Sequence, residues 1–245
     1  MSTAAVGADD VLGVAAGLWA RITAPSPVPS ALDLVVVTAL VGALLVLPTW
    51  PRLRHGITIV HEAGHGFAAT LTGRRLAGIR LHSDTSGLTV SVGRPRGPGM
   101  AITLLAGYPA PSAAGVLVAW AVAEGHAAAA LWGSLVLLLL VLVQIRNWFG
   151  LWSVLVAGAL VGAATWLADP AWRMRVALAL AVLLVAGGLR ATAELPAARR
   201  HDGRSDADQL AAVTRVPAGF WLLVLVLAAL AGVAGAGALL VAPLR

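Results

Sequence analysis

Seven apolar runs, near residues 32–48, 55–72, 100–122, 128–145, 148–168, 174–190 and 219–243, limit what this chain can become. Each is about 17 to 25 residues long, enough for a helix to cross a hydrocarbon core of roughly 30 Å. No water reaches backbone amides at that depth, so the spans must satisfy their own hydrogen bonds as helices. The composition agrees: 59% of residues are apolar, 11% are charged and the mean hydropathy is +0.88, too little polarity to coat a water-soluble fold. The expected architecture is an all-α polytopic membrane protein of six or seven transmembrane helices, forming a single domain over residues 31–245. Residues 9–20 are apolar but too short to cross, so the N-terminal segment 1–30 reads as an interfacial helix followed by a linker at Pro25, Pro27 and Pro29. Asp9 and Asp10 stand where a secretory signal carries positive charge, and no cleavable targeting segment is expected.

Two segments break the helical pattern. Over 79–92, Ile79, Leu81, Leu88, Val90 and Val92 alternate with Arg80, His82, Thr89 and Ser91, and period two means strand. Ser83 to Gly87 supply turn chemistry between the two arms, so the segment reads as a β-hairpin between spans. Its open edges cannot face lipid, which places it at the interface or in a protein-lined cavity. The second break is Gly107-Tyr108-Pro109-Ala110-Pro111-Ser112, where two prolines remove amide donors inside an apolar run.

The formal charge is +6, and every one of the 17 basic residues is arginine, which points to a GC-rich, bacterial source. These arginines sit in short connections between apolar runs, as cytoplasmic retention of positive charge requires, and nucleic acid is not an expected partner. Tracing seven spans from face to face puts the N-terminus, the hairpin, the Arg146-Asn147 junction and a loop over 191–218, with Glu194, on one face. Arg52, Arg54, Arg173 and Arg175 fall on the other. The first face carries more arginine and is expected to be cytoplasmic, in a multi-pass protein of the bacterial plasma membrane.

The chemistry concentrates at His61-Glu62-Ala63-Gly64-His65. On a helix this H-E-x-x-H spacing sets both histidines on one face, one turn apart, able to share a zinc ion, with Glu62 beside them as general base. With six His in the chain, random placement would produce the pattern on the order of once in several hundred such sequences. The bland alternative is a polar cluster that hydrogen-bonds across the bundle, but ionisable residues within a span are costly and by default mark function. The chain has no cysteine, so a metal must be held by His, Asp, Glu or a neutral oxygen, its third ligand included. Asp206, Asp208, Asp202, Asp84, His82, His201 and Glu194 lie on the right face, and Asp206 is preferred because its loop approaches the last span. A solvated helix cap at Ser205 to Asp208 is the ordinary reading of the same residues. Asn147 offers an amide to a substrate backbone, or with Arg146 and Trp148 it serves as an interfacial anchor.

With these residues the sequence resembles the site-2 protease family of intramembrane zinc metalloproteases, in a compact bacterial form with no PDZ or CBS domain within its length. His61 to His65 matches the family's zinc-binding helix, Leu81 to Val92 is similar to its membrane-inserted hairpin, and Gly107 to Ser112 stands at its helix-interrupting Gly-Pro segment. The family's Asn-x-x-Pro and Leu-Asp-Gly pattern is absent: Asn147 has no matching proline, and Asp206 stands in for the missing ligand. The resemblance implies a zinc metalloendopeptidase that cuts membrane-anchored proteins in the lipid bilayer. Zinc would be held by His61, His65 and Asp206, and substrate would align as a strand beside Leu88 and Val90. A non-proteolytic membrane metal-binding protein and a small transporter are the alternatives, since buried ionisable groups and broken helices also mark ion pathways.

Overall fold

The computed structural model describes residues 8–202 and 205–244. In chain order it has α1 (Ala8–Ile22), α2 (Ala31–Val46), α3 (Trp50–Leu71), β1 (Arg75–Leu81), β2 (Gly87–Val92), α4 (Pro98–Leu105), α5 (Pro109–Ala123), α6 (Ala127–Gln144), α7 (Trp148–Leu167), α8 (Pro170–Asp202), α9 (Asp206–Thr214) and α10 (Ala218–Val241). This is an all-α polytopic protein with one small hairpin, as its hydropathy requires. Local chemistry starts several of the helices. Ser30 and Asp33 form a reciprocal capping box at α2, and Ser205 and Asp208 form another at α9. Pro98 and Pro109 open α4 and α5, where a missing amide costs nothing because first-turn amides have no helical partner. Pro109 therefore both ends one helix and begins the next.

Among the described residues, four helices are long and apolar enough to cross a membrane: α6, α7, α8 and α10. Two bent pairs, α2 with α3 at 103° and α4 with α5 at 61°, raise the number to as many as six. The upper of these counts equals the lower end of the expected six or seven. Several contacts fix the path of the first pair. Asp33, at the start of α2, accepts from Arg175 near the start of α8 at 2.8 Å. The Ser26 amide donates to the Gly125 carbonyl between α5 and α6 at 2.8 Å, and Arg21 lies over Trp166 near the end of α7, 4.8 Å from the ring centroid. The N-terminal segment thus lies with the α5–α6 and α7–α8 junctions, which corrects the expectation that it shares the hairpin's face. Arg54 and Glu194, expected on opposite faces, form an ion pair at 2.8 Å. The physical cause is the turn near Pro48: α2 ends there and α3 leaves it through a bend of 103°, so Arg54 is not carried to the far end of a straight span from Glu194.

Helix α8 is the centre of the bundle. Half of its most apolar stretch is buried, against 17–22% for α6, α7 and α10, whose outer faces are free for lipid. Its Ala177, Leu178, Ala181 and Val185 pack with Val118, Ala119 and Val122 of α5, and small side chains allow the close helix approach that membrane packing relies on. The connection expected as a loop over 191–218 is largely helical, being the end of α8 followed by α9.

The hairpin is longer than its alternation suggests, because β1 begins at Arg75 and a bulge between Leu76 and Gly78 interrupts the period. Its apolar residues also divide between the two faces. Ile79 and Leu81 are 2% and 1% exposed against the bundle, whereas Leu88 and Val90 are 51% and 41% exposed. Ile79 pairs with Thr89 and Leu81 with Gly87, so the bundle-facing side of β2 is small and polar. Beyond β1, Ile145 forms a parallel bridge with Ile79, and the Arg146 amide donates to the Ile79 carbonyl at 2.9 Å.

Candidate metal centre

His61, Glu62 and His65 lie in the middle of α3, facing the break between α4 and α5. Two glycines make that crossing possible. A methyl group on Gly64 would strike Ala106 and Ala110, and one on Gly107 would strike the rings of both histidines. The helix break then provides a polar group. Thr103 lies in the last turn of α4, where carbonyls lose their helical partners, and its oxygen stands 2.7 Å from His65 Nδ1. Nδ1 must donate to that carbonyl, which leaves Nε2 with its lone pair free to bind a metal. His61 stands edge-on to the Tyr108 ring, with centroids 4.7 Å apart.

Asp206 completes the group. It occupies the first turn of α9, and α9 is seated by the buried Ala207 and Leu210. Ser205 and Asp208 cap the helix, and Arg199 bonds the Asp208 carboxylate at 2.9 Å, holding it below its ordinary pKa. Ser205 and Asp208 thus cap the helix, while Asp206 turns towards the histidines.

The three candidate ligand atoms form a compact triangle. His61 Nε2 and His65 Nε2 are 3.0 Å apart, and they lie 3.3 and 3.2 Å from Asp206 Oδ2. Zinc bonds of about 2.0 Å in tetrahedral array put ligand atoms roughly 3.3 Å apart, so the triangle fits such an ion. Asp206 Oδ2 is buried and receives no well-formed hydrogen bond, as suits an oxygen reserved for a metal. Among the described residues, His61, His65 and Asp206 are the group of His, Asp and Glu side chains that could hold a metal ion. The other proposed ligands go elsewhere. Asp208 caps α9, Glu194 pairs with Arg54, and His82 and Asp84 lie at the hairpin turn around Ser86. The side chains of His201 and Asp202 lie outside the described residues.

Glu62 is 4% exposed and is held from the hairpin. Thr89 Oγ1 lies 2.6 Å from Glu62 Oε2 and 3.0 Å from the Glu62 carbonyl, and Gly87 packs so closely that a methyl group there would meet the carboxylate. Thr58 Oγ1 lies 2.9 Å from the Thr85 carbonyl, pinning the turn to α3. A cavity of about 730 Å³ opens beside these groups, lined by His61, Glu62, His65 and Asp206 and by residues 85–89 of the hairpin, Leu88 among them. Asn147 is placed differently. Its Nδ2 donates to the Leu81 carbonyl at 2.6 Å and its Oδ1 accepts from the Leu81 amide at 3.2 Å, so its amide closes the outer edge of β1. Thr89, Thr103, Gly87 and Tyr108 were not singled out as functional from sequence. Thr89 carried the clearest signal, as a polar residue in an alternating strand.

The family model for Peptidase M50B-like proteins matches residues 34–236 of this chain. No curated protein and no solved structure matches it.

Proposed function

Because the chain belongs to the M50B-like peptidases of the site-2 protease family, and is a membrane metallopeptidase in general terms, we propose that it is a zinc endopeptidase cutting membrane-anchored proteins within the bilayer. The observation that carries this reading is the triangle of His61 Nε2, His65 Nε2 and Asp206 Oδ2 beside a buried carboxylate and an open strand. His61, His65 and Asp206 would hold the zinc ion, which when bound would supply Lewis acidity to a water and to the scissile carbonyl. Glu62 takes the proton of the attacking water and later delivers it to the departing amine. Thr89 holds one oxygen of Glu62 by hydrogen bond, so the other is left for proton transfer. His65 keeps its tautomer through Thr103, and Gly107 keeps the space in front of both rings open.

The substrate enters as an extended chain alongside β2, because a peptide bond inside a helix is shielded from attack. Asn147 already occupies the outer edge of β1, which leaves β2 as the strand edge available in the hairpin, with Leu88 and Val90 beside the incoming chain. We place the hairpin, the Arg146-Asn147 junction and α9 at the cytoplasmic face, where Arg74, Arg75, Arg80, Arg94 and Arg96 collect. We place α1 at the opposite interface.

Metal analysis of the purified protein in detergent tests the reading. About one zinc per chain is expected in the wild type and in Glu62→Gln, and none in His65→Ala or Asp206→Ala. Cleavage of a membrane-anchored substrate must vanish in Glu62→Gln and on chelation. A well-folded wild type without metal would refute the reading, and cleavage that survives Glu62→Gln would remove Glu62 from it.

A further inference from the structure

The cavity carries a charge that peptide hydrolysis does not use. Arg54, Thr58, His61, Glu62 and His65 form one stripe along α3, and all five line the cavity. Arg54 is the one arginine among its described lining residues. Its Nη1 donates to Glu194 Oε2 at 2.8 Å, and among the described residues its side chain has no other acceptor. Glu194 does not neutralise it. That carboxylate also takes Trp50 Nε1 at 2.8 Å and Arg190 Nε at 3.2 Å, and Arg190 lies over the Trp50 ring at 4.7 Å, outside the cavity lining. One carboxylate shared by two guanidinium groups leaves a net positive charge, and Arg54 is the member that presents it to the cavity. The side chain is 32% exposed, open enough to receive a further partner.

The register of the site says where that partner would stand. His61 lies seven residues beyond Arg54, about 10 Å along the helix axis. The hairpin turn lies towards Arg54, since Thr85 is bound by Thr58 and Thr89 by Glu62. A strand beside β2 rises about 3.3 Å per residue, so the distance corresponds to about three residues of extended chain.

Resting on the peptidase reading, we propose that Arg54 is a specificity residue. It selects substrates with an acidic side chain about three positions from the scissile bond, on the side towards the hairpin turn. Any other side chain there leaves the guanidinium charge without its match in a partly desolvated cavity.

The experiment presents the detergent-solubilised, zinc-loaded protein with a peptide library of fixed ends and a randomised centre, and locates cleavage by mass spectrometry. In parallel, Glu62→Gln protein is tested for binding of two matched library peptides, one acidic and one amide at the selected position. Enrichment of Asp and Glu over Asn and Gln by about tenfold is expected at one position three residues from the cut. Arg54→Glu should move the preference to Lys and Arg, Arg54→Gln should flatten it, and Arg54→Lys should retain it, with zinc content verifying each fold. An unchanged preference in Arg54→Glu, or equal loss of all sequences without a shift in preference, would overturn the assignment and leave Arg54 as a tie between α3 and α8. If cleavage fails but the binding preference reverses with Arg54→Glu, the specificity site stands and the peptidase reading falls.

Discussion

Glu62 belongs to α3 by sequence and to the hairpin by its contacts. Thr89 supplies the hydrogen bond that orients its carboxylate, and Gly87 leaves the space it occupies. Thr89→Val keeps the shape and removes the donor. A hydrogen bond to a charged group contributes about 1.5–3 kcal/mol, so kcat should fall about tenfold to a hundredfold while zinc content stays at the wild-type level. Equal loss of zinc would instead make Thr89 a general support of the site. Gly107 tests the opposite wall: Gly107→Ala drives a methyl group into the His61 and His65 rings, and zinc should be lost from a protein that still shows its helical circular dichroism. The H-E-x-x-H motif was legible because its geometry is local, two histidines one turn apart on a helix. Thr89 and Thr103 were not, since each acts on α3 from another element and nothing in their own neighbourhoods marks them.

At the scale of elements, the hairpin shows what periodicity can and cannot say. Alternation identified both arms correctly, but it could not tell that Ile79 and Leu81 face the bundle while Leu88 and Val90 face away. Pairing register decides that, and register comes from contacts with α3 and with the α6–α7 junction. Asn147 acts at this scale, as a side-chain amide that imitates a neighbouring strand for Leu81. Asn147→Ala should speed hydrogen exchange at the Leu81 amide by about twofold to tenfold, the equivalent of one ordinary hydrogen bond, with zinc retained. Unchanged exchange would mean that the Ile145–Arg146 backbone holds the edge alone. Helix α9 is the other element with a double duty. Ser205→Ala should cost roughly 1 kcal/mol through the lost cap, and because the same turn carries Asp206, zinc affinity should fall with it. A competition titration with a fluorescent chelator measures this directly, and unaltered affinity would show that the buried Ala207 and Leu210 suffice to seat α9.

The whole molecule sets the number of crossings and the side on which each end lies. Counting each bent pair once gives six, with the N-terminal segment on the face opposite the hairpin. The absence of cysteine makes this directly testable, because single introduced thiols meet no background. Ser26→Cys should react with a membrane-impermeant maleimide from one side of the membrane, and Ser83→Cys from the other. Labelling of Ser26→Cys together with Ser83→Cys would restore the seven-span path. Sequence by itself determined the solvent of this protein, its helical class, the hairpin, the break at Gly107 and the metal motif, since hydropathy, period and spacing are properties of neighbouring residues. Tertiary structure decided the rest: that α2 and α3 meet at a bend of 103°, that the triangle closes on Asp206, and that Arg54 pairs with Glu194 beside the cavity. These depend on where distant segments meet, and a bend of the chain near Pro48 or the seating of α9 is settled by packing among helices, which local pattern does not encode.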